Sequence, residues 1–164
     1  MDESKLLSNI NLEYYTKKLK LPLHQIRFVS QLKTIKTPKI GNYIINLDRS
    51  ETNGTHWSCF IIYPSKLVYY DSFGVINQIP PEVIQFGKRF NPSIKFVFNY
   101  DVIQDTNSIY CGWFVLYFIY FFNKNKKCQN KRLLLTAHNK KFDKTDLLQN
   151  DLILKILIKE IFSN

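Results

Sequence analysis

From Cys111 to Phe122 (CGWFVLYFIYFF) nearly every position is apolar, and a helix carrying such a run is buried on all sides. The run is about half as long as a membrane span needs, so it predicts a central core helix. Earlier in the chain the pattern is that of strands. Gly41 to Asp48 (GNYIINLD), His56 to Tyr63 (HWSCFIIY) and Lys66 to Tyr70 read as strands, and Pro64-Ser65 suits a tight hairpin between the last two. Ile94 to Ile103 (IKFVFNYDVI) alternates enough to predict one more. Pro80-Pro81-Glu82 predicts a helix start, because proline suits a first turn; the helix runs to about Phe90, where Asn91-Pro92 stops it. Leu6, Leu7, Ile10 and the stretch Leu12 to Tyr15 predict a polar-faced helix ending before Leu21-Pro22. At the other end, Leu147, Leu148, Leu152, Ile153, Ile156, Leu157 and Ile161 recur at helical spacing over Asp146 to Phe162. Ser50 to Thr55, with Asn53-Gly54, reads as a polar loop, and Lys124 to Lys144 as an irregular basic segment. Strands in the middle and helices at both ends predict an α+β layer fold.

At 164 residues, 45% hydrophobic and 22% charged, the chain suits a single domain over residues 1–164 with a sizeable core. The start, Met1-Asp2-Glu3-Ser4-Lys5, is charged and unlike a signal peptide, so a non-secreted protein is expected. The formal net charge is +10, with much of the excess in Lys17–Lys20, Lys33–Lys39 and Lys124–Lys141. A solvated surface and an electrostatic footprint for a polyanion such as nucleic acid both account for it. Richness in Ile, Asn, Lys, Phe and Tyr also reflects codon bias in an AT-rich genome, which discounts part of the lysine excess. Cys59, Cys111 and Cys128 are odd in number and show neither disulfide nor zinc-ligand spacing. A reducing compartment is expected, where a thiol can serve as a nucleophile.

Cys111 stands between a polar loop and the head of the apolar helix, where helix-end amides favour a thiolate. Gly112 beside it allows close approach of a substrate backbone. The plain alternative is a small buried hydrophobe. His56 opens a strand after a turn, so its ring can stand at a sheet edge and exchange a proton with a thiol. If the strands from His56 and to Tyr70 pair antiparallel, Asp71 comes within reach of His56 and can orient the ring. Gln104 ends a strand and enters the loop leading to Cys111; its amide could donate to a developing oxyanion beside the Cys111 N–H. Taken singly, His56 and Asp71 are more simply a loop histidine and a turn aspartate, and Gln104 a solvated strand end. Their joint order carries the information.

The segments Thr55-His56-Trp57, Tyr69-Tyr70-Asp71-Ser72-Phe73-Gly74 and Gln104 to Phe114 (QDTNSIYCGWF) resemble a superfamily of cysteine proteases. It comprises the adenovirus maturation protease (adenain) and the ubiquitin-like-protein-specific proteases, and the match spans roughly Gly41 to Phe122. The resemblance implies a central mixed sheet flanked by helices, with the catalytic cysteine heading a central helix. It implies Cys111 as nucleophile, His56 as general base, Asp71 as its orienter and Gln104 in the oxyanion hole. Trp57 and Gly112 would face the substrate, with glycine favoured before the cut. The Asp71-Ser72-Phe73-Gly74 turn and the long loop before Cys111 favour the viral branch, acting on capsid or core precursors in virion and infected cell. Adenain has Glu where this chain has Asp71, as the deubiquitinating and deSUMOylating branch usually does. Adenain is activated by DNA and by a short viral peptide, which the basic charge is compatible with; no residue maps onto its peptide-binding cysteine. The chemistry needs no cofactor or metal, and a monomer without membrane contact is expected. Rival readings are a deubiquitinase or deSUMOylase, an acyltransferase on the same triad, and a basic DNA-binding module with a vestigial triad. Cys59 is expected in the core and Cys128 exposed among lysines.

Overall fold

A computed structural model describes residues 6–48, 56–75 and 78–163. The Ser50 to Thr55 loop expectation lies outside the described residues. A five-stranded sheet in simple chain order forms the middle of the molecule. Its strands are β1 (Leu23–Phe28), β2 (Gly41–Asn46), β3 (Trp57–Ile62), β4 (Lys66–Tyr70) and β5 (Lys95–Phe98). The outer pairs β1–β2 and β4–β5 are parallel, and the inner pairs β2–β3 and β3–β4 antiparallel. The sheet is therefore mixed, as the resemblance implies.

Both faces of the sheet are covered, so β3 is buried throughout and β4 from Leu67 onward. On one face Ile44, Cys59, Ile61, Val68 and Tyr70 pack on the long apolar helix α3 (Cys111–Lys124), with α1 (Asn9–Lys18), α4 (Lys131–Asn139) and α5 (Leu147–Ser163) around it. On the other, Tyr43, Ile45, Phe60, Ile62, Leu67 and Tyr69 pack on α2 (Pro81–Phe90) and on a 3-10 turn, Val29–Thr34. The alternation of side chains along each strand feeds these two cores, and α3 is apolar all round because it is enclosed. Tyr70 stacks on Phe118 with ring centroids 4.1 Å apart, locking the sheet to α3. Among the described residues no helix is long and apolar enough to cross a membrane.

One stretch without an assigned element gains structure, and two expectations change. Leu23–Phe28 is a strand and Val29–Thr34 a 3-10 turn, although the sequence shows little period there. The basic segment contains α4, capped by the Asn130 side chain accepting from the Leu133 N–H, with Leu134, Leu135 and His138 buried. Apart from Lys131, which is buried and donates to the Lys126 and Cys128 carbonyls, its lysines face outward and mask that inner face. The strand expected over residues 94–103 stops at Phe98. There the Asn99 side-chain amide takes over the backbone's role, accepting from the Asp71 N–H at 3.1 Å and donating to the Asp71 carbonyl at 2.6 Å. The chain is then released from the ladder toward Gln104.

Candidate active site

His56 immediately precedes β3 and Asp71 immediately follows β4. The β3–β4 register pairs Cys59 with Tyr70 and Ile62 with Leu67, so both residues stand at the same end of the hairpin. His56 Nε2 meets Asp71 Oδ1 at 2.8 Å, and the ring stacks on Phe73 at 4.5 Å. The same carboxylate oxygen accepts from the Phe73 N–H at 2.9 Å. Asp71 is thus held from both sides. The turn that follows closes at Gly74, whose φ of +72° and nearness to the Tyr100 carbonyl leave no room for a Cβ.

Cys111 is the first residue of α3 and lies near enough to His56 to act on the ring by hydrogen bonding and by charge. With Nε2 engaged by Asp71, the buried Nδ1 is the other ring nitrogen open to proton exchange. Burial alone would lower the ring's pKa. The hydrogen bonds to Asp71 and Cys111, with the charges of both, outweigh it and raise His56 to about 9. The ring therefore holds its proton at neutral pH. Cys111 itself is only 2% exposed, whereas the His56 side chain keeps 15%, so solvent reaches the site mainly at the imidazole.

Gln104 is fully buried. Its Oε1 accepts from the Ser72 hydroxyl, and its Nε2 donates to the Ser108 carbonyl at 2.8 Å. The Ser72 carbonyl also accepts from the Ile103 and Gln104 N–H groups, which ties the Asp71 turn to the loop that delivers Cys111. Gly112 follows Cys111 and Trp57 follows His56, but neither is open. The Trp57 indole donates to the Leu7 carbonyl at 2.8 Å, and a Cβ on Gly112 would come within 3.0 Å of Leu7. The segment before α1 thus lies across the head of α3, so the chain itself uses the space at Gly112. Cys59 is buried between sheet and α3, and burial raises its thiol well above the usual range. Cys128 is half-buried rather than exposed, because its Sγ turns back onto the Asn130 carbonyl and it packs at the margin of the core.

The structure thus brings His56, Asp71 and Cys111 together and seats Gln104 in the adjoining loop. No supporting role was expected from the sequence for Phe73, Asn99, Ser72 or Leu7. Ser72 and Phe73 had a signal in adjoining Asp71; Asn99 and Leu7 had none, since their contacts are long-range.

No protein-family model matches the chain, and no curated protein matches it in sequence. Solved structures do match. The ASFV pS273R protease superposes with a TM-score of 0.50 at 15% identity, over 84% of this chain and 69% of that one. The SUMO protease Ulp1 gives 0.49 at 14% identity over 97% and 80%, and AvrA with IP6 and CoA gives 0.47 at 12% over 92% and 66%. The chain shares its α+β fold, a mixed five-stranded sheet flanked by helices, with the ASFV pS273R protease.

Proposed function

We propose that the protein is a cysteine endopeptidase in which Cys111 is the nucleophile, His56 the general base and acid, Asp71 its orienter and Gln104 an oxyanion donor. One observation carries this reading: the His56 ring is bonded to the Asp71 carboxylate and is acted on by the Cys111 thiol at the head of α3. The Cys111 sulfur attacks the scissile carbonyl, whose oxygen takes the negative charge and is stabilised by the Gln104 amide and the Cys111 N–H. The protonated His56 then delivers its proton to the departing amine. In the second half it takes a proton from water, which attacks the thioester and frees the acid. The proton held at neutral pH supports this role. Asp71 keeps the ring in place and favours its charged form.

The closely covered surroundings of Cys111, with Leu7 against Gly112 and Trp57, support a preference for small residues, glycine above all, before the cut. Capsid or core precursors of a virus are the proposed substrates, on the strength of the Asp71–Gly74 turn and the loop before Cys111. The basic surface supports an activating contact with DNA. A deubiquitinase or deSUMOylase is the second reading, favoured by Asp rather than Glu at position 71.

The test is a cleavage assay on viral precursor peptides and on ubiquitin-like fluorogenic substrates, with and without DNA. Cys111→Ala is expected to abolish turnover of whichever substrate is cut. Full turnover by purified Cys111→Ala removes the proposal. Cleavage of ubiquitin-like substrates alone moves the assignment to the second reading.

A further inference from the structure

The interactions around Gln104 have a single direction, and they begin on a helix far away in the chain. Asp151, on the first turns of α5, accepts from the Ser108 hydroxyl at 2.8 Å. A carboxylate can only accept, so the hydroxyl's one proton is committed to it. The Ser108 oxygen is left with lone pairs, and these receive the Gln104 Nε2 and the Tyr110 N–H, both at 3.3 Å. The Ser108 carbonyl, also an obligate acceptor, takes the same Gln104 Nε2. Ser72 cannot set the direction, because its hydroxyl could donate or accept with equal ease. A half-turn of the Gln104 amide would bring Oε1 against the Ser108 carbonyl, two acceptors face to face on a fully buried side chain. Next to Asp151, Asn150 is fully buried and donates to the Ile103 carbonyl at 2.9 Å, which pins the residue before Gln104.

We infer that Ser108 and Asp151 are positioning residues that turn the Gln104 amide nitrogen, never its oxygen, toward Ser108, with one N–H shared between the Ser108 carbonyl and hydroxyl and the second left for a developing oxyanion. The inference rests on the oxyanion role proposed for Gln104 and extends it to a residue on α5. Without Asp151, the Ser108 hydroxyl is free to donate, and its proton competes with that of the Gln104 nitrogen. Without the Ser108 hydroxyl, Gln104 loses one of the acceptors that hold its nitrogen.

The experiment compares the full-length protein with Ser108→Ala, Ser108→Thr, Asp151→Asn and Gln104→Ala. Steady-state hydrolysis of a peptide that the parent cleaves is set beside alkylation of Cys111 by iodoacetamide, which forms no oxyanion. Losing a single oxyanion donor costs about a hundredfold or more, so a donor that is only misdirected should cost about tenfold in kcat. We expect that loss for Ser108→Ala and Asp151→Asn, with KM within about twofold, unchanged alkylation, and recovery in Ser108→Thr. Adding Ser108→Ala to Gln104→Ala should cost nothing further. Unchanged kcat in Ser108→Ala overturns the inference, as does an alkylation rate that falls in step or a full extra loss in the Gln104→Ala background. The side-chain amide resonance of Gln104, assigned by its disappearance in Gln104→Ala, supplies a readout independent of turnover. It should be protected from solvent exchange in the parent and not in Asp151→Asn; equal protection in both overturns the inference. A parent whose thiol alkylates but which hydrolyses no peptide counts against the protease reading instead, and the amide resonance then decides the positioning alone.

Discussion

His56 and His138 show how partners decide the outcome when burial pulls two rings of one side-chain type in the same direction. His56 is raised to about 9 by partners that favour its charged form, against the downward pull of burial. Between the ordinary 6.5 and about 9 the native ring keeps a proton that an unfolded ring has lost. The stabilisation is complete below 6.5 and disappears as pH rises through 9. We therefore expect kcat/KM for peptide cleavage to fall on the alkaline side through about pH 9, and Asp71→Asn to move that limb to lower pH. A pH–rate profile of the two proteins checks this. His138 is fully enclosed by Tyr70, Tyr117, Phe118, Phe121 and Phe142, and burial pushes it down to about 4, despite the bond to Asn139. Here the unfolded ring binds a proton that the native one refuses, so stability declines as pH falls from 6.5 toward 4. His138→Phe should flatten that acid decline in melting temperature, measured from pH 7 to 4.

Among the elements, α4 and β5 mark the limit of periodicity as a guide. The α4 helix depends on its cap: Asn130→Ala should cost about 1 kcal/mol in denaturant unfolding, since the Leu133 N–H loses its acceptor. Nothing in the lysines around it announced a helix, yet Asn130 ahead of Leu134, Leu135 and His138 was a usable signal. The β5 strand is shorter than its alternation suggests, because Asn99 bonds both backbone groups of Asp71. Asn99→Leu is expected to leave those groups unpaired and to cost about 1–3 kcal/mol. It should also lower activity, because Asp71 is the residue released. Unfolding and cleavage assays on one preparation read both. By contrast α2, α3, α5, β3 and β4 lie close to where the residue pattern put them, since each is long or strongly periodic and has clear stops.

At the scale of the molecule, a sheet covered on both faces leaves no slack at the contact between β4 and α3. Phe118 is fully buried and stacked on Tyr70, so Phe118→Ala should cost about 3–5 kcal/mol by leaving a cavity. Thermal and denaturant unfolding measure it.

The sequence by itself determined which stretches are buried, the chain order of His56, Asp71, Gln104 and Cys111, and a hairpin that puts the first two at one end. These follow from local period and turn chemistry, which act within a few residues. Tertiary structure alone decided that Leu7 lies over Gly112, that Asn99 ends β5 at Asp71, and that Asp151 reaches Ser108. Hydrophobic patterning records that a side chain is buried, but not against what. A polar contact between distant segments leaves no period at all, because it depends on how whole elements pack.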